Sequence, residues 1–119
     1  MTNKILGLHH ITAIAGKAQR NYDFYTKVLG LRLVKKTVNF DDPGTYHFYY
    51  GDEVGSPGSI LTFFPWEGIQ KGRVGTGMAT EIGYSVPNGS LEFWNNRFNE
   101  LKVKHGEVNE KFGEQYLPF

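Results

Sequence analysis

An α+β fold is predicted, built from paired β-α-β-β-β modules that form a curved, partly open barrel, the second module incomplete. Three observations predict it. Short strand-like segments, the first of strictly alternating faces, are separated by Gly-containing turns, an amphipathic helix follows the first of them, and the pattern restarts after about 70 residues. The 119 residues are 39% hydrophobic and 15% aromatic, with 15 Gly. That composition suits tight turns and large flat side chains on a curved sheet, and the length supplies apolar surface for one small domain's core.

The first segment, 8–14, alternates strictly. Leu8, His10, Thr12 and Ile14 share one face, and His9, Ile11 and Ala13 the other. A helix is expected over 17–29, because Ala18, Tyr22, Tyr25 and Leu29 make a stripe of helical period that Phe24 and Val28 widen. Gly30 stands where a left-handed cap ends it. Strands are expected over 32–39, 45–50 and 59–64, divided by Asp41-Asp42-Pro43-Gly44 and Gly55-Ser56-Pro57-Gly58. The first module thus covers 1–66, and the polar, Gly-rich stretch 67–77 is a linker.

The second module covers 78–119. Residues 78–86 read as a strand, Ser90 as an N-cap, and Leu91, Trp94, Phe98 and Leu101 as the stripe of a second helix. Tyr22-Asp23-Phe24-Tyr25 and Leu91-Glu92-Phe93-Trp94 are equivalent positions of the repeat. Residues 105–112 and 115–119 are candidates for the second and third strands, with no fourth. A truncated module, short by roughly 20 residues, is the expectation.

Several function classes are excluded. Thirteen Lys+Arg against 12 Asp+Glu leave a net charge of +1, which offers no overall field for nucleic acid or an anionic membrane. No Cys is present, so disulfides, thiolate nucleophiles and Cys-ligated metals are out. No apolar run approaches the ~20 residues of a membrane span, and the apolar part of the first seven residues is too short for a signal peptide. A soluble, cytoplasmic protein is expected. Arg32, Lys35 and Lys36 split between strand faces and make no phosphate patch, and Gly72–Gly77 neither follows a strand nor opens a helix, as a dinucleotide loop must.

His9-His10 is the sharpest chemical feature. In a strand the two rings point to opposite faces and cannot both ligate one metal without a bulge. His10 and Thr12 share a face and are the candidates to line a cavity, and His9 suits a place behind the ligand or an inward position at the strand's edge. Half-buried histidines bonded to backbone are the competing reading. A catalytic metal takes about three protein ligands, typically two His and a carboxylate for non-haem iron. His47 is open as ligand, substrate contact or packed aromatic-like side chain. Glu81, at the place in the second module that His10 holds in the first, is open as a ligand or a solvated rim residue.

The residues Gly7-Leu8-His9-His10-Ile11-Thr12, Asn21-Tyr22-Asp23-Phe24-Tyr25 and Val28-Leu29-Gly30-Leu31 together resemble the vicinal oxygen chelate superfamily. The run from Arg32 to His47, with Tyr49-Tyr50-Gly51-Asp52 and Leu61-Thr62-Phe63-Phe64-Pro65-Trp66, is similar to bacterial ring-cleaving dioxygenases that act on hydroquinones. The resemblance implies proteins of about twice this length or more, with four modules. It implies Fe(II), with Mn(II) or Zn(II) as alternatives, held by His10 and by a His and a Glu from a fourth module that this chain lacks. His9 and Thr12 then match catalytic pocket residues beside the metal, with His9 able to move a proton, and the partners are a small aromatic substrate and dioxygen. The missing donors would come from a homodimer or from C-terminal modules. The same fold also hosts glyoxalase-type isomerases and transferases, and metal-free dimeric proteins that sequester small molecules.

Overall fold

The computed structural model describes residues 3–119, so the first two residues of the expected first module lie outside the described residues. Contacts divide the chain into one unit reaching to Lys71 and a second, Gly72–Phe119. No helix among the described residues is long and apolar enough to cross a membrane.

The first unit runs β1 (His10–Ala15), α1 (Ala18–Asp23), a π-helical turn (Phe24–Val28), β2 (Arg32–Val38), β3 (Tyr46–Gly51) and β4 (Ile60–Pro65). The four strands form one curved, unclosed sheet in the order β1-β4-β3-β2. β2, β3 and β4 are an antiparallel meander, and β1 lies parallel to β4 from the pair His10↔Ile60 to Ala15↔Pro65. All four strands agree with the expected segments to within two residues at either end.

Alternation then divides the side chains. Phe48, Tyr50, Leu61 and Phe63 are buried on one face. Tyr25 closes over them, its ring 5.1 Å from that of Tyr50 and 4.7 Å from that of Phe63. The Tyr50 hydroxyl donates to Asn21 Oδ1 at 2.8 Å, a buried bond that fixes α1 to the sheet. Burial raises the Tyr50 phenol well above its ordinary pKa, so it stays a donor.

The expected single helix over 17–29 is corrected to α1 plus the π-helical turn. There the Leu29 N–H reaches the Phe24 carbonyl at 3.1 Å and the Thr26 hydroxyl bonds back to the Tyr22 carbonyl at 2.6 Å. The widened turn accommodates one more residue than α-helical phase allows, and it is Asn21, outside the apolar stripe, that is buried. Gly30 has φ +72° and ends the helix in the left-handed conformation, as expected.

The second unit holds α2 (Leu91–Glu100) and a hairpin of β5 (Asn109–Lys111) and β6 (Glu114–Tyr116). Phe98 is its buried centre, against Trp94, His105 and Phe119. Three expectations are corrected here. Residues 78–86 form no strand, because a strand needs a neighbour for its ladder and no described segment pairs with them. The segments 105–112 and 115–119 shrink to three residues each, turned by Phe112 and Gly113 at φ 54° and 77°. Ser90 occupies the N-cap position without capping, since its hydroxyl donates to the Pro87 carbonyl at 2.7 Å.

Tyr50→Phe leaves Asn21 Oδ1 buried without its donor. Urea unfolding of this variant is expected to show a loss of about 1–3 kcal/mol.

Candidate active site

The face of the first sheet opposite α1 carries the candidate residues. His10 opens β1 on this face, and Thr12 follows two residues on, paired in register with Thr62 of β4. Thr62 is in turn paired with Tyr49 of β3. A bulge between Leu33 and Lys35 switches the faces of β2, so Leu33 lies opposite Tyr50 on the helix side while Lys35 lies opposite Tyr49. Lys35 Nζ stands 5.3 Å from the Tyr49 ring centre and Lys36 Nζ 4.7 Å from that of Tyr46. The basic cluster divides between faces as expected.

His9 departs from the strand alternation expected of it. It precedes β1, so strand alternation does not govern its ring. Its carbonyl accepts the Gly58 N–H at 2.7 Å, and its Nδ1 lies 3.1 Å from Nδ1 of His10 with the rings edge to face. One ring donates across this contact and the other accepts. The contact engages Nδ1 of His10, leaving Nε2 as the nitrogen open for coordination.

A continuous line of polar side chains runs across the three strands behind this pair. The Thr62 hydroxyl, fully buried, donates to Thr12 Oγ1 at 2.8 Å. His47 Nε2 lies 3.0 Å from Thr62 Oγ1, and His47 Nδ1 lies 3.1 Å from the Tyr49 hydroxyl. Phe64 packs on the His47 ring with centres 4.0 Å apart. His47 is therefore a packed side chain whose two nitrogens both have partners. Its pKa is lowered, first by burial, then by the charges of His10 and Lys35.

Glu81 lies in the second unit, largely exposed, and its carboxylate pairs with Lys111 at 3.2 Å. Among the described residues no group of three or more His, Cys, Asp or Glu side chains comes together to hold a metal ion. None of β1–β4 contains an Asp or Glu. The donors of this face therefore fit part of a divalent site and do not complete one. Sequence reasoning missed Thr62 and Tyr49. The usable signal was the spacing of His47 and Tyr49, two apart in one strand and so on one face.

A β-α-β-β-β sheet with a helix on one face and imidazole, hydroxyl and phenol groups on the other is a module of the vicinal oxygen chelate class. The chain belongs to the glyoxalase/bleomycin resistance protein/dioxygenase superfamily, whose model matches residues 7–114. It is 55% identical over 119 residues to a Bacillus subtilis (strain 168) protein that carries the name ring-cleaving dioxygenase MhqO, covering all of this chain and 38% of that one. It is 40% identical over 121 residues to a chlorohydroquinone/hydroquinone 1,2-dioxygenase of Sphingobium indicum, again covering all of this chain and 38% of the relative. The crystal structure of a Bacillus subtilis protein that carries the name dioxygenase superposes with a TM-score of 0.91 at 54% identity, over 98% of this chain and 37% of that one. The chain thus spans little more than a third of the length of these relatives.

The lowered His47 pKa sets a pH dependence of stability. Below the ordinary histidine value of about 6.5 the unfolded chain binds a proton that folded His47 resists. Its contribution to stability therefore falls as pH drops from that value toward the folded pKa. Urea unfolding at pH 5.5 and 7.5, compared between the unmodified chain and His47→Gln, is expected to show a smaller pH dependence in the variant.

Proposed function

We propose that this chain is the N-terminal portion of a metal-dependent ring-cleaving dioxygenase of extradiol type, which opens hydroquinone-type aromatics beside one hydroxyl. Residues 1–66 are its first module, 67–77 a linker and 78–119 the beginning of a second. The metal is Fe(II), with Mn(II) or Zn(II) as alternatives, and the protein is cytoplasmic. The carrying observation is the His9–His10 contact, which orients His10 and leaves its Nε2 open at the first register pair of β1.

His10 supplies one ligand. The other donors come from a partner copy or from further modules, since this face has no carboxylate to offer. His9, bonded to the ligand's far nitrogen, is placed to hold or pass a proton released by a phenol. Thr12 touches the substrate oxygen. Tyr49 and Phe64 give the floor flat aromatic surface suited to a ring. The relatives' names support the reaction class, and the identity spanning the whole chain supports carrying it over.

The complete gene product, reconstituted anaerobically with Fe(II), is expected to consume dioxygen with hydroquinone. His10→Ala is expected to lower that rate by more than about a hundredfold. His9→Ala is expected to lower it by about a hundredfold, in the range of general acid–base contributions. Absence of oxygen uptake with every hydroquinone tried, with iron bound, overturns the assignment.

A further inference from the structure

Of the three basic residues on β2, two are engaged away from the site. The Arg32 guanidinium donates to the Glu53 carbonyl. Lys36 pairs with the buried Phe48 and lies over the Tyr46 ring, on the helix side of the sheet. Lys35 alone turns to the site face, and the bulge between Leu33 and Lys35 is what turns it. Bulges beside functional sites re-aim single side chains in this way. Among the described residues no carboxylate pairs with Lys35, and β1–β4 contain none. Its ammonium is held instead over the Tyr49 ring, a cation–π contact that keeps the charge above the sheet.

Thr12, Thr62, Tyr49 and Lys35 stand in one register row across the four strands. Tyr49 is pinned in that row by its hydroxyl, 3.1 Å from Nδ1 of His47. Its ring centre lies 6.5 Å from that of His10 and 5.3 Å from Lys35 Nζ. A benzene ring with one hydroxyl at the His10 end can therefore carry a substituent to the lysine. We propose that Lys35 is a specificity-determining residue, and that the site takes hydroquinones bearing an acidic ring substituent, a carboxylate or a sulfonate. This rests on the proposed hydroquinone reading and narrows its substrate class. The ammonium has aromatic support but no counter-charge, and the substituent supplies one through a charge-assisted hydrogen bond. A methyl group or hydrogen in the same place offers nothing comparable. Because Lys35 is exposed, the preference is modest and screened by salt.

Anaerobic calorimetry on the complete gene product loaded with Fe(II) tests it. The probes are hydroquinone sulfonate, whose sulfonate is a poor ligand for iron, and methylhydroquinone, its neutral counterpart. Lys35→Met keeps the stem and removes the charge. It is expected to weaken binding of the sulfonate at least about threefold relative to methylhydroquinone at low salt. That loss is expected to shrink toward nothing at about 0.5 M salt. Lys35→Arg, which keeps the charge, is expected to retain the preference. Lys36→Met, on the helix side, is expected to behave as the unmodified protein does. An unchanged ratio of affinities in Lys35→Met, or an equal loss in Lys36→Met, overturns the proposal. Oxygen uptake is followed in parallel. Binding of the probes without any uptake overturns the ring-cleaving reading, while the calorimetric ratio still decides the role of Lys35. Binding of neither probe overturns both.

Discussion

The parallel pairing of β1 with β4 is the constraint on which the candidate site depends. In register, Thr12 lies beside Thr62 and His10 beside Ile60. Side chains alternate with a period of two, so a slip by one residue would turn His10 and Thr12 toward α1 and expose Ile11 and Ala13 in their place. The register is held from both sides of the sheet. On the helix side Leu61 and Phe63 are buried among Phe48, Tyr50 and Tyr25. On the other, the Thr12–Thr62 hydrogen bond forms only in this alignment. Beyond the strand's start, the Gly58 N–H to His9 carbonyl bond extends the same alignment to the histidine pair.

The two faces divide the work of folding and of chemistry. One is an aromatic core closed by Tyr25 and by the buried Tyr50–Asn21 bond. The other carries hydroxyl, imidazole and phenol groups that satisfy one another laterally instead of being left to solvent. The bulge in β2 contributes to both. By switching faces between Leu33 and Lys35, it keeps the leucine on the core side and delivers the lysine to the site side. A regular strand would place both on the same face.

Much of this was legible in the sequence where the signal is local. Alternation located β1, β-rich runs bounded by turn residues located the other three strands of the first sheet, and Gly30 marked the end of the helix. What escaped depends on partners distant in the chain. Residues 78–86 alternate as a strand should, yet alternation encodes a surface, and a ladder also needs a neighbour. The placement of His9 turned on whether β1 begins one residue earlier or later, a distinction finer than any periodicity. His47, Thr62 and Thr12 come from three strands, and only their mutual register, which no single strand reveals, joins them into one line. Asn21 was overlooked because it falls outside the apolar stripe, while the phenol it receives is 29 positions away in sequence.

The π-helical turn at Phe24–Val28 gives the first unit an asymmetric tolerance to changes in chain length. It stores one residue beyond what an ordinary helix of that span holds, so a single deletion there can be taken up by rewinding to α-helical geometry, leaving the strands on either side in place. The same deletion within β1 has no such reserve and would invert the strand. A one-residue deletion can therefore be absorbed at the helix, upstream of the β2–β4 meander, whereas the segment bearing the histidines admits exchange of side chains but not of length.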